Sequence, residues 1–181
     1  MVDAAIRRPV AWPPTPSLEA LPPASRFVFR GDAAARGAAG TAFGAAFPES
    51  ACRATTDGSR AALWLGPDEH LLLAADGEGA SIETALSRAL DGHAYSLVDV
   101  SHRQVGIRVQ GSRAEWLLES QCPLPLNLRD FPVGMCTRTV FAKAEIVLWR
   151  ASAEVFHLEV WRSFATYVVE ILREVYREPV A

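Results

Sequence analysis

No run in this chain approaches a membrane span. A transmembrane helix needs about 20 consecutive apolar residues, and proline, glycine or charge interrupts every apolar stretch well short of that. A basic excess is missing too. The formal net charge is −3, whereas a nucleic-acid partner asks for a positive face to neutralise phosphates. Cysteine is scarce: Cys52, Cys122 and Cys136 are odd in number and show no CxxC spacing, so reduced thiols of a cytoplasmic protein are expected and a disulfide framework is not. Near the start, Ile6-Arg7-Arg8-Pro9 leads into proline and not into an apolar stretch, so neither a secretory nor a twin-arginine export signal is expected. The short motifs of common enzyme sites are also absent: there is no GxGxxG opening a helix after a strand, no Gly-rich GK[ST] loop, no GxSxG and no HExxH. His70, His93, His102 and His157 have no ligand spacing, and half-buried or surface structural roles suit them best.

What the chain has is apolar content and periodicity. Half of its 181 residues are hydrophobic, enough for one domain of comfortable size or two small lobes without staples. Residues 1–24 form a proline-rich arm, in which Pro9, Pro13, Pro14, Pro16, Pro22 and Pro23 forbid helix interiors. Trp12 stands among them. Either it anchors an extended arm on a partner or on the chain's own body, or the arm is a tail with an incidental indole.

From residue 25 the pattern runs twice, giving lobes of about 25–102 and 103–181. Arg26–Arg30 reads as a buried strand, Asp32 caps an Ala-rich helix over 33–46, and Ala61–Leu65 and Glu69–Ala74 form two strands around Gly66-Pro67-Asp68. An amphipathic helix over Ser81–Leu90 and a strand over Tyr95–Val100 complete a split β-α-β unit. The second lobe repeats strand, turn and helix at Gly106–Gln110 and Arg113–Gln121. Strands then follow at Thr139–Ala142, Glu145–Trp149 and Val155–Trp161, and a last helix runs from Ser163 to about Arg177. The predicted class is α+β, two similar split β-α-β lobes with antiparallel sheets and helices on one face.

Several segments remain open on residues alone. The stretch from Cys122 to Thr139, with alternating leucines and three prolines, is either an internally packed connector or a partner-facing loop. Asp99-Val100-Ser101-His102-Arg103 gathers an acid, a hydroxyl, an imidazole and a guanidinium where the lobes join. Neighbours along a strand point to opposite faces, so no nucleophile–base pair is assembled locally, and Asp99, His102 and Arg103 read better as a hydrogen-bonded hinge. Cys122 and Cys136 have no nearby histidine and read as buried structural thiols. Arg138, Lys143, Arg150 and Arg162, on strands that also carry Glu145 and Glu159, serve either cross-strand ion pairs or an acidic partner patch. As apolar anchors for a partner the sequence offers Trp12, Leu126, Phe131 and Trp161, with Trp64, Trp116 and Trp149 as core residues.

Taken in order, Leu63-Trp64-Leu65-Gly66-Pro67-Asp68-Glu69, Val98 to Arg103, Cys122-Pro123-Leu124 through Phe131-Pro132-Val133-Gly134 to Cys136-Thr137-Arg138-Thr139, Lys143 to Trp149, and Glu159 to Phe164 resemble the gamma subunit of heterotetrameric sarcosine oxidase. That family is similar in fold to the folate-binding domain of glycine-cleavage T-protein aminomethyltransferases. The resemblance implies an accessory chain without a catalytic site, assembled with alpha, beta and delta subunits. Such a complex oxidatively demethylates sarcosine to glycine, with hydrogen peroxide formed and a one-carbon unit passed to tetrahydrofolate. It also implies FAD, FMN and NAD in the alpha and beta chains, zinc in delta, and no cofactor in this one. The rival reading is a stand-alone folate-binding one-carbon transfer protein, with Asp99 as its acid and Arg103 as a contact for the folate tail.

Overall fold

The computed structural model describes residue 15 and residues 17–178; Trp12 lies outside them. The chain divides into two compact units, Pro23–Ser101 and a second that joins the residues up to Pro22 to those from His102 onward.

The first strand of the chain, β1 (Leu18–Ala20), belongs to the second unit and precedes the unit Pro23–Ser101. The central strand β2 (Ala24–Gly31) turns Phe27 and Phe29 into the core. Asp32 then caps α1 (Ala33–Phe43) by accepting a hydrogen bond from the Ala35 N–H at 2.9 Å, and Gly44 ends it at φ +79°, a conformation that costs glycine little. Small residues let this helix lie close to the chain that follows: a Cβ at Gly40 would meet Phe47 N at 3.1 Å. Strands β3 (Ala54–Asp57), β4 (Arg60–Trp64) and β5 (Glu69–Ala75) follow, then α2 (Gly79–Ala89) and β6 (Tyr95–Asp99). The antiparallel sheet has the order β3-β4-β5-β2-β6. Ile82, Leu86 and Leu90 close its core over Leu72 and Ala62. Strand β3 departs from the predicted β-α-β-β-α-β order. Ala-Thr-Thr-Asp has no apolar alternation, and as an edge strand it needs none.

The second unit follows the same plan. Its elements are β7 (Gln104–Gln110), α3 (Ala114–Glu119), β8 (Cys136–Phe141), β9 (Ala144–Ser152), β10 (Val155–Trp161) and α4 (Arg162–Arg177). The last strand of the plan, supplied in the first unit by β6, comes here from the start of the chain. Strand β1 (Leu18–Ala20) pairs antiparallel with β7, giving the order β1-β7-β10-β9-β8. Leu18 is buried opposite Val109, Glu19 is ion-paired with Arg108 at 2.7 Å, and the Leu21 N–H donates to Gly106 O at 3.0 Å. The end of the proline-rich arm is therefore part of the sheet. The core of this unit lies between the sheet and the inner face of α4, where Ala165, Val168, Val169, Leu172 and Val175 are buried.

Leu18 is the apolar anchor of β1, so Leu18→Ala is expected to cost about 2–4 kcal/mol, the usual price of truncating a buried leucine. Urea denaturation of the full chain checks this, and a loss below about 0.5 kcal/mol would mean that β1 is not held in the sheet.

Candidate interaction surface

The segment 122–135 is organised around one side chain, Arg150 of β9. Its guanidinium is almost fully buried and its five N–H groups are all used. Nη1 donates to Leu126 O and to Phe131 O (3.0 Å), Nη2 to Glu115 Oε2 (2.9 Å) and Ala153 O (2.6 Å), and Nε to Ala153 O (3.2 Å). The plane also lies over the Phe156 ring at 4.7 Å. On the main chain, the Arg150 N–H donates to Met135 O and Gly134 N–H donates to Arg150 O, both at 2.9 Å. A buried cation is tolerated only when its donors are satisfied, and here two of the acceptors are carbonyls of the proline-rich segment itself. This corrects two expected anchors. Leu126 is 0% and Phe131 1% exposed, both inside the core cluster. Their apolar surface is consumed by the chain's own fold, so neither offers a side chain to a partner.

Other expected residues fall as follows. Arg138 lies on β8, 3.8 Å from Glu145 of the neighbouring strand, so cross-strand pairing accounts for it. The division between the units runs between Ser101 and His102. On one side Asp99 Oδ1 accepts the Ser101 N–H at 2.8 Å, and the Ser101 hydroxyl accepts the Arg26 N–H at 2.9 Å. On the other side His102 O accepts Arg162 Nε at 3.1 Å and Arg103 O accepts the Arg162 N–H at 2.8 Å. Cys122 and Cys136 are buried, and neither forms a disulfide. Burial pushes the Cys122 thiol up from its ordinary value, against the lowering effect of hydrogen bonds from Leu124 and Thr139, which keeps it protonated and unreactive. Among the described residues no group of three His, Cys, Asp or Glu is placed to hold a metal ion, and no helix is long and apolar enough to cross a membrane.

The exposed surface of interest is at the N-terminal half of α4. Trp161, Phe164 and Tyr167 are 43%, 41% and 37% exposed. Trp161 closes β10 just ahead of the helix, and Phe164 and Tyr167, three residues apart, line one flank of α4 beside its buried stripe. Phe164 and Tyr167 meet edge to face with centroids 6.4 Å apart, and the Arg103 guanidinium lies 5.3 Å from the Trp161 ring centre. Trp161, Arg162 and Arg103 are thus brought together, while Asp99 lies in the other unit. Phe164 and Tyr167 have a period that suits core residues equally well; the apolar stripe is simply wider than the core it covers.

The chain matches the sarcosine oxidase, gamma subunit family over residues 30–178. It belongs to that family. A curated relative, the sarcosine oxidase subunit gamma of Corynebacterium sp. (strain P-1), is 32% identical over 125 residues, covering 67% of this chain and 61% of the relative. The gamma-family chain spans about half to three-fifths of the length of the curated relatives it matches. Among solved structures, the heterotetrameric sarcosine oxidase from Corynebacterium sp. U-96 in complex with pyrrole 2-carboxylate contains a chain that superposes with a TM-score of 0.80. That match has 25% identity and covers 91% of this chain and 87% of the other. Aminomethyltransferase T of the glycine cleavage system from Bartonella henselae superposes at 0.63 with 13% identity over 86% of this chain and 44% of its own length. This likeness is one of fold, and it agrees with the expected α+β architecture of two antiparallel lobes.

Two outcomes follow for this gamma-family chain. Arg150→Met removes five donors and leaves the buried carbonyls of Leu126 and Phe131 unmet, and is expected to cost about 3–5 kcal/mol; equal stability of the variant in urea would show that Arg150 does not organise the loop. His70 is 0% exposed, with Nε2 3.4 Å from Pro48 O and Nδ1 unpartnered. Burial lowers its pKa from 6.5, partly offset by the Pro48 carbonyl. As pH falls below 6.5 the unfolded chain takes up a proton that the folded chain refuses, so stability present above that pH is lost below it. The thermal midpoint should fall between pH 7.5 and 5.5, and fall less in His70→Gln; identical pH slopes would contradict the assignment.

Proposed function

We propose that this chain is the accessory gamma subunit of a heterotetrameric sarcosine oxidase, assembled with alpha, beta and delta chains in the cytoplasm. The observation that carries the reading is the superposition on a chain of a heterotetrameric sarcosine oxidase over nearly the full length of both. In this reading the complex demethylates sarcosine to glycine with oxygen, releases hydrogen peroxide and passes the one-carbon unit to tetrahydrofolate. FAD, FMN and NAD belong to the alpha and beta chains and zinc to delta. The gamma chain contributes surface, and no step of the chemistry is assigned to its residues. An exposed aromatic flank beside exposed arginine suits that role, since aromatic and arginine side chains dominate subunit contacts.

The stand-alone folate reading is not favoured. Its support is a likeness of fold alone, and the acid it needs, Asp99, already has one carboxylate oxygen engaged by the next turn of its own strand end. Co-expression with the three other chains is expected to yield an assembly that retains this chain and forms hydrogen peroxide on sarcosine. Recovery of this chain as a monomer apart from an intact flavoprotein would overturn the proposal. Saturable thermal stabilisation of the isolated chain by tetrahydrofolate, lost in Asp99→Ala, would favour the folate reading instead.

A further inference from the structure

We infer that the surface formed by Trp161 at the end of β10 and by Phe164 and Tyr167 on α4 docks a segment of a partner subunit that carries a carboxylate next to apolar side chains. The inference rests on the complex proposed above and adds to it a surface and the chemistry of what covers it.

Exposed large apolar residues occur elsewhere among the described residues, but in a different setting. Leu128 and Val133 lie in the 122–135 segment, Val140 on the edge strand β8, and Tyr95 and Val98 on opposite faces of β6. Here two exposed rings in mutual contact share one flank of α4, and a third, Trp161, stands at the strand end just before it. A run of exposed aromatics on one helix face is what a soluble chain keeps for a partner. Nothing in the fold of this unit needs them there, because the buried stripe of Ala165, Val168, Val169, Leu172 and Val175 already seats the helix on its sheet.

The charge around the flank selects the occupant. Residues 161–169 contain one arginine and no acid, and the first turn of α4 has neither an acidic residue nor a side-chain cap on its N-terminus. The helix dipole there is positive. Arg103, exposed and stacked on Trp161, adds a second guanidinium at the edge of the rings, and Arg162 is held beside it through His102 O. At the opposite end the situation differs. Arg113 donates to Tyr176 O at 3.2 Å and to Glu178 O at 2.9 Å, so the C-terminal carbonyls of α4 are served from within the chain. Apolar rings framed by cationic groups fit a segment in which Asp or Glu stands beside apolar side chains, where a desolvated carboxylate–guanidinium contact gives direction to an otherwise apolar surface.

The test uses the co-expressed four-chain complex. A photoreactive phenylalanine at position 167 should crosslink to a segment of a partner chain that contains Asp or Glu. Phe164→Ala with Tyr167→Ala, and separately Arg103→Glu, should each weaken retention of this chain at least tenfold, the latter more so at low salt. Leu128→Ala and Val140→Ala should leave retention unchanged. Arg103→Glu touches no core residue, so it decides the matter should the double alanine variant fail to fold. If the unmodified chain does not assemble, the proposed function falls and this inference with it. If it assembles but these variants retain full affinity, the docking surface alone falls. It falls equally if the crosslink reaches a basic segment, a second copy of this chain or its own residues 1–14.

Discussion

Arg150 is the interaction on which the second unit depends. A guanidinium with no solvent contact carries a desolvation penalty of several kcal/mol, and only a complete set of acceptors makes that position tenable. The acceptors come from three places separate in sequence: Glu115 of α3, Ala153 of the β9–β10 turn, and the carbonyls of Leu126 and Phe131. One planar fork therefore fixes a helix, a hairpin and a long irregular segment at once. Lysine could not do this, having three donors and no plane. With the carbonyls held, Leu126 and Phe131 turn inward beneath them and complete the core.

A second constraint is the common plan of the two units. In each, a central strand is flanked on one side by a strand from a three-stranded meander and on the other by a short edge strand. The first unit takes that edge strand from the chain that follows α2. In the second, the place is filled by β1, which precedes the first unit along the chain. The proline-rich arm thus has a structural duty over residues 18–20, and the units are alike in strand order without being alike in connection.

Much of this was legible in the residues. Strands with apolar cores, such as Arg26–Arg30 and Val155–Trp161, and the helices flanked by Asp32 and Gly92 were placed close to their observed bounds, because period and capping are local signals. The strands β1 and β3 were not, since three residues between prolines and the sequence Ala-Thr-Thr-Asp carry no periodicity; their partners decide them. The leucines of the 122–135 segment misled for a related reason. Their cover depends on an arginine some twenty residues away whose charge argues for the surface, and only the full set of carbonyl acceptors shows that it is inside. The last helix, expected from Ser163 to about Arg177, lies close to the observed α4, but period alone does not tell a wide apolar stripe that is buried from one that is half covered.

Function, in this account, is exerted through surface. The chain belongs to the gamma subunit family, and a conspicuous exposed feature among its described residues is an aromatic surface at the start of α4 with a cationic border. A chain of this kind is explained by what it holds together. The most direct measurement is the native mass of the assembly obtained when this chain is co-expressed with its proposed alpha, beta and delta partners. The account predicts a single species containing one copy of each chain, this one included; a flavoprotein assembly whose mass leaves no room for it, with this chain recovered alone, would contradict it.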